Sequence, residues 1–203
     1  MAAFHLSRAT AAEIPEMIPM IGRLADDDVN MRDFAIGPNT AESRERNTQV
    51  FQHIIVSDPH LVWMKVTEKS TGKIVGGSMW RIHQTVVPEV MFDNRPRPWL
   101  DDDPKNKQRV MDVLQESFEA KKRLCTQPHV RLGNIFTANE YRNRGAGSLM
   151  VKWGCDLADH LFLPIWVDAT ESGRSFYQKF GFNMKYAGLP SGELMMRDAK
   201  SQT

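Results

Sequence analysis

Apolar side chains recur along the chain at two spacings, about every second residue and about every 3.6 residues, and the alternation predicts strands interleaved with amphipathic helices. Residues 4–8 suit a first edge strand. Residues 61–67 and 73–84 suit two more, joined through Glu68-Lys69-Ser70-Thr71-Gly72 as a hairpin turn. Alternation in the second of these puts Arg81 and His83 on one face and Trp80 and Ile82 on the other. Gly76 and Gly77 weaken that strand and predict a bulge or the close approach of another backbone. Val130, Leu132, Ile135 and Phe136 make a further strand, 163–169 the next, and 183–187 with 193–197 a closing pair around a turn at 188–192. Residues 199–203 are expected to fray.

The helical segments carry their own start signals. Thr10 and Glu13 have capping-box spacing, and Ile14, Met17, Ile18, Ile21 and Leu24 follow at helical intervals. Pro15 and Pro19 each remove a donor and crowd the preceding turn, so a kink or a later start is expected. Asp26-Asp27-Asp28 predicts a solvated turn, since consecutive carboxylates point apart and do not converge on a metal. Residues 31–39 suit a loop, and Thr40 caps a helix through residue 54. Asp103 caps another, with Pro104 at its first position and Val110, Met111, Leu114 and Phe118 on one face. Its Lys121-Lys122-Arg123 end complements the helix dipole; without an aromatic platform it predicts a solvated end and not a nucleic-acid patch. After a turn at Ala138-Asn139-Glu140, a fourth helix begins near Gly147, with Leu149, Trp153, Leu157 and Leu161 four residues apart. A short fifth covers 171–179.

Residues 87–103 fit neither period. Pro88, Pro96 and Pro98 stiffen them, and Met91, Phe92 and Trp99 sit among charges. Two readings stand side by side: a functional lid, or a surface loop whose aromatics pack on the core. Composition narrows the class without naming a function. In 203 residues, 41% hydrophobic and 25% charged, a substantial core is expected and disorder is not. A formal net charge of +1 gives no general pull toward nucleic acid or an anionic membrane. No apolar run approaches a membrane span, and no secretory signal is visible at the start. Cys125 and Cys155 lack metal-ligand spacing and predict reduced, buried thiols in a cytoplasmic protein.

The chemistry concentrates between residues 135 and 148. Arg142-Asn143-Arg144-Gly145-Ala146-Gly147-Ser148 joins a strand to a helix. A helix start presents unpaired N–H groups and a partial positive charge, and glycines let an anion approach that backbone. Two arginines and a hydroxyl complete a cradle for a phosphate or pyrophosphate. A Walker loop would need Gly-Lys before Ser148, and a dinucleotide fingerprint a third glycine where Met150 stands. The pattern R-x-x-G-x-G from Arg142 to Gly147 instead resembles the acyl-CoA pyrophosphate loop of the GNAT superfamily of N-acetyltransferases. Phe176-Tyr177-Gln178-Lys179-Phe180-Gly181-Phe182, beyond the next strand, is similar to the second signature of that family.

The resemblance implies an α/β fold, one GNAT-like domain over residues 1–203 with a central mixed sheet flanked by helices. It implies acetyl-CoA as acyl donor, no metal, and a primary amine, of a small molecule, that attacks the thioester directly in a ternary complex. A protein or peptide amine is the enzymatic alternative, and a CoA-binding module without catalysis the other. By the same resemblance Ile135, Phe136 and Thr137 meet the pantetheine arm, Arg142 to Ser148 hold the pyrophosphate, Thr170 stands where the family often has Asn, Phe176 flanks the cofactor, and Tyr177 serves as general acid. Many family members carry a Glu or His base on the cofactor strand. Here Gly133 and Ile135 stand near those positions, leaving Glu140, His83, His129 and Asp168, or ordered water, as candidates. Neither a nucleic acid nor a membrane is expected as partner, and the oligomeric state, a homodimer included, is left open.

Overall fold

The computed structural model of the protein describes residues 3–89, 96–189 and 192–200. Residues 90–95 of the Pro-rich segment, 190–191 of the last turn and 201–203 of the tail lie outside the described residues. Strand β1 (Phe4–Arg8) is followed by helices α1 (Ile14–Asp27) and α2 (Ala41–Ser57), then the hairpin β2 (Leu61–Glu68) and β3 (Ile74–His83). Helix α3 (Pro104–Leu124) leads into β4 (His129–Thr137), α4 (Ala146–Leu161) and β5 (Ile165–Ala169). Short α5 (Arg174–Gln178) precedes β6 (Asn183–Leu189) and β7 (Gly192–Arg197). The seven strands form one mixed sheet in the order β1-β2-β3-β4-β5-β7-β6. Every neighbouring pair is antiparallel except β4 and β5, which are parallel.

Local signals place the helix starts. Glu13 closes the predicted capping box with Thr10, and α1 begins after that turn with Pro15 in its first turn. Pro19 is accommodated inside α1. Thr40 accepts a hydrogen bond from the Ser43 N–H, and Asp103 from the Asn106 N–H, as N-caps do. Residues 31–39 differ from the predicted loop: Met31–Ile36 is a wide π-type helical turn. Asp33 anchors it, accepting from Asn106 Nδ2 at 3.1 Å and pairing with Arg32 at 2.9 Å and Arg109 at 2.8 Å. That network spans two distant segments, so no local pattern announces it.

Helices α1, α2 and α3 cover one face of the sheet, and α4 with α5 the other. Ile14, Met17, Ile21 and Phe51 pack on Trp63, Met79 and Phe136. On the opposite face Val151, Cys155, Ala158 and Tyr177 pack on Trp80, Leu132, Ile165 and Val167. The buried stripe of α4 is Ala146, Met150, Val151, Gly154, Cys155 and Ala158, while Leu149, Trp153, Leu157 and Leu161 flank it half-buried. The reason is steric: Trp80 is fully buried under this helix, and a Cβ on Gly154 would lie 2.2 Å from its ring. Small side chains must face the sheet there. A similar shift holds for α3, whose buried stripe is Val110, Val113, Ser117 and Ala120, with Met111, Leu114 and Phe118 half-buried beside it. The described part of the Pro-rich segment packs on the same side. Leu100 is buried with Phe34, Val110 and Val113, and Trp99 Nε1 donates to Asp33 O at 3.1 Å.

Three histidines meet where β3 ends and β4 begins. The His83 ring lies 4.6 Å from that of His60 and 5.9 Å from that of His129. Burial, then the neighbouring His60 and His129, hold His83 below the ordinary imidazole range. Burial likewise lowers His129, against the opposing hydrogen bond to Gln127 O at 2.8 Å.

Two outcomes are expected from this packing. Gly→Ala inside a helix ordinarily stabilises by about 0.5–1 kcal/mol. Gly154→Ala should instead lose about 1–3 kcal/mol in urea denaturation, because its methyl overpacks the Trp80 ring; a stabilised variant would show that the ring moves aside freely. The histidine cluster sets a pH dependence. Groups with depressed folded pKa values contribute stability that is present above the unfolded value of about 6.5 and lost as pH falls through the folded ones. The denaturation midpoint should therefore fall between pH 7 and 5, less steeply in His83→Gln, and equal slopes would remove the cluster as the cause.

Candidate active site

One glycine decides the shape of the site. Strands β4 and β5 pair only through Val130↔Ile165, Arg131↔Trp166 and Leu132↔Val167. Against β3, Trp80 opposes Leu132 and Met79 opposes Asn134, so Gly133 is an extra residue in β4, a bulge. Beyond it β4 runs on to Thr137 without a partner on β5. The inserted residue also shifts the parity of the strand. Leu132 and Ile135 share the α4 face, while Phe136 turns to the α1 face beside Trp63, 6.3 Å away. The result is a cleft between two parallel strands whose β4 wall is bare peptide. An isolated glycine inside a strand pattern is the signal that marks such a bulge from sequence.

The predicted anion cradle closes the end of this cleft. Asn143 and Gly145 take left-handed backbone conformations, with φ of 59° and 97°. Gly145 is the N-cap of α4 and supplies no capping side chain, so the N–H groups of Ala146, Gly147 and Ser148 gain no side-chain cap. A Cβ on Gly145 would meet nothing within 4 Å, so glycine serves the positive φ there and not a tight contact. Phe176 lies against the same turn: a Cβ on Gly147 would be 3.4 Å from its ring. The two arginines differ. Arg142 is exposed, with contacts at 3.4 Å to Thr137 O and 3.3 Å to Asp27. Arg144 is equally exposed but makes more contacts, with its guanidinium 4.8 Å over the Tyr141 ring and 3.4 Å from Glu68, which also accepts from the Tyr141 hydroxyl.

Tyr177 is buried in α5 with its ring 5.4 Å from Phe176 and 5.6 Å from Phe182. Burial, then the charge of Asp168, pushes its phenol well above the usual tyrosine range, so it remains a proton donor across physiological pH. The Thr170 side chain is already committed: it accepts from Gly173 N at 3.2 Å and lies 3.1 Å from Ser172 Oγ.

Asp168 sits at the fork, one residue past the last β4–β5 pair. It receives Lys121 Nζ at 2.8 Å and Arg131 Nη2 at 2.6 Å. Burial pushes its carboxyl up, but Arg131 and Lys121 outweigh that and hold it below the carboxylate range. Its second oxygen, Oδ1, has no hydrogen-bond partner among the described residues. Lys121 is therefore turned inward, unlike the solvated end its sequence neighbourhood suggests, while Lys122 and Arg123 lie over the Phe118 and Tyr186 rings.

The four base candidates fall apart in space. Asp168 is an ion-pair partner and too acidic to take a proton from an ammonium well. Glu140 is exposed beside Lys73 at 3.5 Å. His83 and His129 lie at the opposite end of β4, four residues or about 13 Å along the strand from Gly133. Among the described residues no three His, Cys, Asp or Glu side chains cluster as a metal site; Asp27 faces Arg142 across the fold and Asp26 accepts from Asn39.

Comparison with known proteins places this geometry. A 41-residue stretch is 39% identical to the probable acyltransferase SID5 of Ajellomyces capsulatus, covering 20% of this chain and 30% of that protein, so less than a third of the relative is matched. The fold is similar to that of arylalkylamine N-acetyltransferase 2 from Aedes aegypti, with a TM-score of 0.64 at 13% identity over 97% of this chain and 99% of that one. It is also similar to a histone acetyltransferase HPA2 and related acetyltransferase from Corynebacterium glutamicum, with a TM-score of 0.60 at 17% identity over 99% of both chains. At such identities the likeness is one of fold. The sequence itself matches the acetyltransferase (GNAT) family over residues 29–182, a span that contains the split strands, the arginine–glycine cradle and Tyr177, and the chain belongs to that family.

Proposed function

We propose that this acetyltransferase moves the acetyl group of acetyl-CoA to the primary amine of a small molecule, by direct attack within a ternary complex. What supports the reading is the β4 edge that runs on without β5 after Gly133 and the α4 start that no side chain caps, with Tyr177 packed on the same face of the sheet. Bound acetyl-CoA supplies an activated thioester. The backbone of Ile135, Phe136 and Thr137 would hold its pantetheine arm, and Arg142, Asn143 and Gly145 to Ser148 its pyrophosphate, with Phe176 supporting the turn from below. Both side chains are exposed, but Arg142 is held only by contacts that cost about 0–1 kcal/mol to displace, whereas Arg144 is held by the Tyr141 ring as well as Glu68.

Two protons move in the reaction. Tyr177 stays protonated and can donate to the leaving thiolate, but its raised phenol makes that transfer uphill, so its contribution is small for a positioned acid. Residues 133–137 carry no titratable side chain, so the ammonium proton leaves through solvent in the cleft and not to a base on the strand. A small acceptor fits the α3 side better than an extended peptide, because Trp99 and Leu100 pack the described end of the Pro-rich segment over that face. No helix among the described residues is long and apolar enough to cross a membrane; the unpaired thiols of Cys125 and Cys155 support a cytoplasmic setting.

Arg142→Gln should weaken CoA binding by about 1.5–3 kcal/mol in calorimetric titration. Arg144→Gln should leave that affinity largely intact and lower stability by up to about 1 kcal/mol instead; the reverse pattern would exchange their roles. Tyr177→Phe should keep the fold and CoA binding while turnover at saturating acetyl-CoA falls toward the lower end of the roughly 10²–10⁴-fold range of a positioned acid. Undiminished turnover would leave Tyr177 as packing and sink the acid role.

A further inference from the structure

We infer that the acceptor carries one carboxylate a few bonds from its amine, and that Arg81 and Arg131 hold that carboxylate at the mouth of the β4–β5 fork. The inference deepens the amine-acetylation reading above and rests on it. The two faces of the sheet differ at the fork. Val130 and Leu132 of β4 and Trp80 and Ile82 of β3 pack with Tyr177 on the α4 face. Strand alternation turns Arg81 and Arg131 to the opposite face, where they stand directly across from each other in the β3–β4 pairing. An apolar wall with the phenol lies on one side, and a charged lip on the side left for the acceptor.

Both guanidiniums reach the fork itself. The last β4–β5 pair is Leu132↔Val167, so Gly133 and Asp168 are the first residues on its two lips. Arg81 Nη1 lies 3.9 Å from where a Cβ on Gly133 would stand, so its side chain crosses from β3 over β4 to one lip. Arg131 Nη2 donates to Asp168 at 2.6 Å on the other. Arg81 is anchored through Nε alone, which donates to Asp58 at 2.9 Å. A guanidinium has five donors, so most of both are left for a ligand or water. The two side chains are 33% and 27% exposed, enough for a solute to reach them.

The balance of charge selects the ligand. Arg81, Arg131 and Lys121 meet Asp58 and Asp168 here, three cations against two carboxylates. His83 and His129, one step back along the same strands, are kept neutral at neutral pH by burial. Like charges directly opposite on neighbouring strands repel, and one further anion relieves that. A single carboxylate matches the excess charge, and its two oxygens match a planar guanidinium fork. A phosphate dianion would overshoot, and the cofactor's phosphates belong to the cradle past the other end of β4. Distance sets the acceptor's length. Ile135, where the pantetheine contacts are proposed to begin, lies two residues past Gly133, about 7 Å along the strand. A chain of about four carbons, with the amine at one end and the carboxylate at the other, bridges that step.

Two measurements on the full chain test this, with thermal melts to establish that each variant is folded. Calorimetric titration of the CoA-saturated protein with 4-aminobutanoate should show saturable binding that Arg81→Gln weakens about tenfold or more. In acetyl transfer, kcat/KM for 4-aminobutanoate should exceed that for butylamine, the same chain without the carboxylate, by about tenfold or more, and should also exceed that for 3-aminopropylphosphonate. Arg81→Gln should bring the ratio of 4-aminobutanoate to butylamine toward one. Arg81→Lys, which keeps the charge and loses the planar fork, should restore part of it. Absence of Arg81-dependent 4-aminobutanoate binding overturns the site. Arg81-dependent binding with equal kcat/KM for 4-aminobutanoate and butylamine overturns its place in acceptor recognition. A preference for the phosphonate overturns the single-carboxylate assignment. If 4-aminobutanoate binds through Arg81 and no amine is acetylated, the anion site stands and the amine-acetylation reading fails, so the titration separates the two failures.

Discussion

The site depends on one extra residue in β4. A regular strand at this position would go on pairing with β5, and its peptide groups would be satisfied within the sheet. Gly133 lengthens β4 by one residue against β3, and β4 then leaves β5 after three paired positions. The bulge is accommodated because the strand is held on its other side, where β3 pairs with it from His129 to Thr137. The divergence leaves backbone donors and acceptors facing a cleft, an arrangement that a protein retains where water or a ligand completes the pairing. It also turns Phe136 toward Trp63 and Ile135 toward α4, so the two faces of the sheet are both tied to the cleft wall.

Around that fork the fold gathers partly buried charge. Lys121 and Arg131 converge on Asp168, and together the three groups carry a net positive charge beside the cleft. Removing one partner of such a cluster would leave a partly buried charge uncompensated, at a cost below the about 3–5 kcal/mol of a fully buried pair. The cluster joins the end of α3, the start of β4 and the end of β5, the three elements whose relative placement sets the width of the opening. Arg174 and Glu193 make a comparable tie between α5 and β7, with Arg174 Nε donating at 2.7 Å. These ties hold Tyr177 and the strand ends in a common frame while the cradle loop presents an exposed Arg142.

Sequence periodicity and end signals determined most of the elements. The edge strand at Phe4–Arg8, the Thr10–Glu13 box, the Thr40 and Asp103 caps and the arginine–glycine junction all depend on contacts within a few residues, so the local sequence contains their cause. The family signatures were legible for the same reason: a phosphate cradle at a helix start is built from consecutive residues. Tyr177 was legible only through its signature, since its burial and raised phenol come from α5 packing on the sheet.

What only the tertiary structure decided involves partners far apart in the chain. The four-residue repeat of leucines and Trp153 on α4 pointed to a face, yet the fully buried Trp80 ring, some seventy residues earlier, admits only the small side chains beside that face. Lys121 looks like a solvated helix end until Asp168 arrives across 47 residues. Met31–Ile36 takes its shape from Asn106 and Arg109. Local chemistry sets where the chain turns and caps; the sheet decides which side chains face each other, because packing and charge pairing act across the fold and not along the chain.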